Sequence, residues 1–166
     1  MDLMSLEEQV DREFATARRR AWVRRLGRLL FGRPASGTLQ SFEETRHVAG
    51  ARGGVRRGRR TVETSRIVGS AGKNEWFDEE FMPLHDASRE RWKRIDRAFR
   101  LGHELPPVSL YQLGGIYFVQ DGHHRVSVAR LHGVEWMDAE VTEFWSPRGQ
   151  AAVSGRERGA AATPAR

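Results

Sequence analysis

A chain of 166 residues, 39% hydrophobic and 30% charged, holds one modest core with room for tails rather than a second domain. It has no cysteine, which excludes disulfides, thiolate metal sites and cysteine chemistry; no run of about 18 apolar residues marks a membrane span, and no secretory pattern opens the chain, so a cytoplasmic location is expected. The net charge of +6 divides into +7 over residues 1–60, −4 over 61–145 and +3 over 146–166, so the basic character sits in the flanks and weakens a nucleic-acid reading of the core.

Residues 5–31 read as one long amphipathic helix within a basic segment 1–34. Ser5 and Glu8 have the spacing of a capping box. Leu6, Val10, Phe14, Ala17 and Ala21 recur at helical intervals, followed by Trp22, Leu26, Leu29 and Leu30. Arg18, Arg19, Arg20, Arg24, Arg25 and Arg28 crowd the second half, and Gly32 and Pro34 end it. The plain expectation is packing on the domain, on a copy of itself or on a protein partner. A membrane-surface helix and a nucleic-acid contact are the sharper alternatives.

Residues 35–60 read as a linker. Gly50, Gly53, Gly54 and Gly58 alternate with Arg46, Arg52, Arg56, Arg57, Arg59 and Arg60, a composition that cannot build a core. A short helix is expected near Phe42-Glu43-Glu44. The organised domain is expected over 61–145. Thr61 to Val68 is rich in β-branched residues and reads as one strand, broken by Gly69-Ser70-Ala71-Gly72-Lys73. Ser88 to Leu101 reads as a helix with Trp92, Ile95 and Phe99 on one face. Val108 to Leu113 and Ile116 to Val119 form a hairpin about Gly114-Gly115. Asp121-Gly122 then turns into a short helix ending at His132-Gly133, and a last strand covers 138–144. Residues 146–166 read as a disordered tail. Trp22, Trp76, Trp92, Trp136 and Trp145 are expected in core or edge packing rather than as base-stacking platforms.

The turn at Asp121-Gly122-His123-His124-Arg125 carries the chemistry. A helix N-terminus presents unpaired N–H groups and a partial positive charge of about half a unit, which suits phosphate. Gly122 allows close approach, Arg125 adds a permanently charged donor, and His123 and His124 add two more. The plainer alternative is that Asp121 caps the helix and the histidines are exposed polar residues. Gly69, Ser70 and Lys73 are candidates for a second phosphate contact. Adjacent histidines diverge and do not share an ion, so no metal site is expected from protein groups alone. Asp121 is a candidate ligand for a Mg²⁺ carried by a nucleotide.

The run Pro107-Val108-Ser109-Leu110-Tyr111, Gly114-Gly115-Ile116-Tyr117-Phe118-Val119, Asp121-Gly122-His123-His124-Arg125, with Ala129 and Gly133, resembles the N-terminal domain of ParB-like proteins. That superfamily includes sulfiredoxin and the free serine kinases. The resemblance spans 61–145 and implies an α+β fold with a small mixed sheet, here preceded by the long N-terminal helix. It further implies that a Gly-x-x-Arg turn holds the phosphates of a nucleoside triphosphate, CTP or ATP. Ile67-Val68-Gly69-Ser70 stands where the family has its first box. Sulfiredoxin carries a cysteine where this chain has His123, so its chemistry is excluded. Partition proteins carry Glu-Arg-Arg after the glycine, and they need a DNA reader and a dimerisation segment downstream, where 21 residues follow Trp145. The serine kinases carry Asp-Gly-His, which Asp121-Gly122-His123 matches. Their upstream base has Glu63, Glu75 and Asp78 as candidates here.

Three functions follow as expectations. The first is a nucleotide-dependent regulatory or adaptor module. The second is an enzyme, a nucleoside triphosphatase or an ATP-dependent kinase of a small molecule, with Asp121 as the catalytic carboxylate. The third is nucleic-acid binding through the basic N-terminal region.

Overall fold

The computed structural model describes residues 3–31 and 37–147. Helix α1 spans Leu3–Phe31. Strand β1 (Gln40–Ser41) leads into α2 (Phe42–Ala49), whose N-cap Ser41 accepts the N–H of Glu44. Strand β2 is Arg52–Glu63 and β3 is Ile67–Ser70. Helix α3 (Arg89–Arg100), strands β4 (Val108–Leu113) and β5 (Ile116–Asp121), helix α4 (His123–Leu131) and strand β6 (Trp136–Trp145) complete the order. The six strands form one mixed sheet in the order β1-β3-β5-β4-β6-β2. The α+β class with a long leading helix therefore holds.

Layering follows from which faces are apolar. Val108, Leu110, Val119, Ala139 and Val141 point to one side of the sheet and bury against Val126 of α4 and the Phe77–Phe81 loop. Leu113 and Phe118 point to the other side, where α2 covers them through Phe42. Outside α4 lies a second apolar layer of Phe14, Ala17 and Ala21 from α1, Trp92 from α3 and Val128 from α4. The alternation along β4 between these two sides is the strand period of two at work.

The expected linker 35–60 is corrected by this structure. Its second half is β2, paired antiparallel with β6 from Arg52–Trp145 to Glu63–Trp136. The glycines that suggested flexibility have structural jobs. Gly53 and Gly58 sit at φ of 74° beside the two register shifts, where β-bulges need that conformation. Gly54 lies under the Phe144 ring, which a Cβ would meet at 3.0 Å. The arginines pair across the strands: Arg57 with Glu143 at 2.6 Å and Arg59 with Asp138 at 2.7 Å. Like-signed repulsion along a Gly/Arg tract is thus relieved by the acidic strand beside it.

The single strand expected over 61–68 is two. A 3₁₀ turn at Thr64–Arg66 separates β2 at one edge of the sheet from β3 near the other. Gly69 and Ser70 continue β3 instead of breaking it. Helix α1 starts at Leu3, so Ser5 lies inside it instead of at its N-cap. Leu6, Val10, Phe14, Ala17 and Ala21 are buried as expected, but Trp22, Leu26, Leu29 and Leu30 are exposed. Of the five tryptophans Trp92 is buried, while Trp22, Trp76, Trp136 and Trp145 are 41–62% exposed. Ion pairs Arg18–Asp86, Arg24–Asp78, Arg100–Glu13 and Lys93–Asp11 at 2.6–3.0 Å fasten α1 to the body. The expected stop at Gly32 and Pro34, and the tail beyond Pro147, lie outside the described residues.

Candidate phosphate-binding site at the start of helix α4

Strand β5 ends at Asp121 and α4 begins at His123, so Gly122 is both turn and N-cap. Its φ is 102°, a conformation for which glycine is suited. No side chain caps the helix, and the first intrahelical bond is Val126 N–H to Gly122 O at 3.0 Å. The N–H groups of His123, His124 and Arg125 therefore have no acceptor within the helix. This is the donor array that the sequence motif points to.

The side chains of the turn behave differently from expectation. The place a Cβ of Gly122 would take is filled by Val108 Cγ1 at 2.6 Å and Arg125 Nη2 at 3.0 Å, so packing demands the glycine. Arg125 donates from Nη1 to the carbonyls of Pro106 and Pro107 at 2.6 and 2.7 Å, and from Nη2 to Asp121 at 2.7 Å. Three of its five N–H donors thus clamp the loop before β4 onto the β5–α4 turn. The Asp121 side chain stays 62% exposed at the helix mouth.

His123 and His124 are buried, not exposed donors. Phe77 stacks on the His123 ring at 5.9 Å and meets the His124 ring edge-on at 5.4 Å. Burial above all, then the charges of Lys73 and Arg91, pushes both imidazoles down to about 4. They are neutral at pH 7, which corrects the expectation that their protonation favours a polyanion. His123 Nε2 lies 2.7 Å from Ser70 Oγ. That hydroxyl already accepts the N–H groups of Gly72 and Lys73 at 3.1 and 2.8 Å. Its own hydrogen is therefore the one shared with His123, whose Nε2 accepts. His124 Nε2 is buried without a hydrogen-bond partner.

The first-box residues divide the same way. Gly69 is buried in β3, where a Cβ would lie 2.4 Å from the Gln40 carbonyl and 2.5 Å from Phe118. Ser70 is fully buried and shapes the 71–73 turn. Lys73 is the member whose charge reaches α4. Its Nζ lies 5.8 Å from the centre of the Trp76 ring, over an open hollow of about 300 Å³ lined by Ser41, Gly72, Asn74 and Glu75. Asn74 Oδ1 is buried there with no partner. Of the carboxylates weighed as an upstream base, Asp78 is buried, paired with Arg24, and accepts the N–H groups of Glu80 and Met82. Glu63 accepts from Ser65, and Glu75 borders the hollow.

Arg91 of α3 is the residue that sequence reasoning missed. Its charge acts on both histidines, as that of Lys73 does. Neither cation makes an ion pair among the described residues, whereas 12 other Arg or Lys side chains do. The candidate site is thus a helix N-terminus within reach of two cations that make no ion pair among the described residues, with one carboxylate, Asp121, at its rim.

Among solved structures the chain is similar to sulfiredoxin from Arabidopsis thaliana, at 12% identity and a TM-score of 0.37, over 60% of this chain and 97% of that one. No protein-family model matches the chain, and no curated protein does.

Proposed function

We infer that this chain is a nucleotide-binding regulatory or adaptor module that holds the phosphates of a nucleoside triphosphate at the start of α4. The observation that carries this reading is the uncapped, glycine-started helix within reach of the charges of Lys73 and Arg91, neither of which makes an ion pair among the described residues. Phosphate oxygens accept from the three free N–H groups and neutralise both charges at once. The hollow beside Lys73 is the natural seat for the base. Trp76 offers it an aromatic face. Arg125 and Ser70 act as positioning residues: one fixes the turn, the other fixes the Lys73 loop. A thermal-shift series with ATP, CTP, GTP and UTP, with and without Mg²⁺, tests the reading. A concentration-dependent rise in Tm with ATP or CTP supports it, and no rise with any nucleotide overturns it.

Phosphotransfer to a small hydroxyl compound is the second reading, favoured by the exposed Asp121 carboxylate at the same helix mouth. There Asp121 takes the acceptor proton or holds Mg²⁺ while the γ-phosphoryl moves to the hydroxyl oxygen. Under this reading Asp121→Asn loses turnover and keeps nucleotide binding. Absence of nucleotide consumption by the wild type with any hydroxyl acceptor removes it.

A further inference from the structure

Helix α1 changes character at Ala21. Up to that point its apolar residues face α3 and α4 and are buried. Beyond it Trp22, Val23, Leu26, Leu29 and Leu30 are exposed, by 62, 52, 38, 75 and 70%. At 100° per residue these five fall within about a third of the helix circumference, directly opposite the face that docks through Ala17, Ala21 and Arg24. The second half of α1 is therefore apolar on the side turned away from the protein, over a length of about 12 Å.

The charges around that stripe identify its occupant. Arg18, Arg24 and Arg28 turn inward and pair with Asp86, Asp78 and Glu79. Arg19, Arg20 and Arg25 are exposed and make no ion pair among the described residues. No Asp or Glu occurs between Glu13 and Glu43, so nothing nearby in the chain answers them. A second copy docked on this stripe brings its own three arginines against these. Nucleic acid satisfies the arginines and leaves Trp22, Leu29 and Leu30 facing water or phosphate. A bilayer surface with anionic headgroups meets both needs, because the apolar side chains enter the acyl boundary while the arginines reach the headgroup phosphates.

We propose that the outer face of α1, from Arg19 to Leu30, seats the protein on anionic lipid. No described helix is long and apolar enough to cross a membrane, so this is attachment in the interfacial plane. The test is flotation of the full chain with vesicles of phosphatidylcholine alone and of phosphatidylcholine mixed in equal parts with phosphatidylglycerol, at low and high salt. The full chain floats with the anionic vesicles, far less with the neutral ones, and less at high salt. Leu29→Glu/Leu30→Glu abolishes flotation with an unchanged circular dichroism spectrum and Tm, since both side chains are exposed. Arg19→Glu/Arg20→Glu weakens it at least about tenfold, from about 1 kcal/mol per basic residue at an anionic surface. No binding to anionic vesicles, or undiminished flotation of the leucine variant, overturns the proposal. A dimer in solution that the same leucine variant dissociates overturns it too, in favour of a second copy. Nucleotide affinity measured without lipid is independent of all these outcomes.

Discussion

Gly122 sits at φ of 102° with Val108 and Arg125 packed where a side chain would start. Gly122→Ala combines backbone strain with a clash, and a loss of about 1–3 kcal/mol in urea unfolding is expected. An unchanged midpoint would show that the turn relaxes freely. His123 and His124 make a second residue-scale prediction. Burial first, then Lys73 and Arg91, holds both at about 4 in the folded chain, against 6.5 for a free imidazole. Between those values the unfolded chain takes up protons that the folded chain refuses, so stability is full above about pH 6.5 and falls as pH drops toward 4. The loss is on the order of a few kcal/mol for the pair. A flat urea-unfolding profile from pH 7 to pH 4.5 contradicts this. The motif itself was legible in the sequence, because a strand followed by Asp-Gly and a short helical period leaves few alternatives. The roles of its side chains were not legible. Arg125 meets Pro106 and Pro107 some 19 residues away in the chain, and the charge of Arg91 acts on the histidines from another helix, so both depend on tertiary placement.

At the scale of elements, β2 is the instructive case. Composition read it as a linker because glycine and arginine dominate, and neither favours a strand on its own. The acidic partners Asp138 and Glu143 lie about 80 residues away, and the bulges that use Gly53 and Gly58 exist only once β6 is alongside. Helix α3 and the β4–β5 hairpin needed no such help, since each carries its period or turn locally. Two expectations separate strand from linker. Limited trypsin digestion of the native protein spares Arg56, Arg57, Arg59 and Arg60, whereas a linker is cut there first. A chain beginning at Thr61 lacks Phe14, Leu39, Phe42 and Ala51, all buried, and most of the edge strand. Its circular dichroism melt is expected to show no cooperative transition, and a sharp one near the wild-type Tm would mean that 61–145 folds alone.

Across the whole molecule, α2, the sheet, α4 and the α1–α3 pair stack in layers, and the two ends of this arrangement differ in kind. Around α4 the turn geometry is fixed by internal bonds: Ser70 with His123, Arg125 with the proline carbonyls, Trp92 with Ser127 at 2.8 Å. What these bonds leave over is three backbone donors and the charges of Lys73 and Arg91, which on the proposed reading form a site prepared before its ligand arrives. The most direct measurement is isothermal titration of the full chain with ATP and with CTP in the presence of Mg²⁺, repeated on Lys73→Ala and Arg91→Ala. Saturable binding of at least one nucleotide is predicted, weakened about tenfold or more in each variant, as loss of a charged hydrogen bond of about 1.5–3 kcal/mol requires. No saturable binding by the wild type, or wild-type affinity in both variants, would contradict the phosphate site at α4.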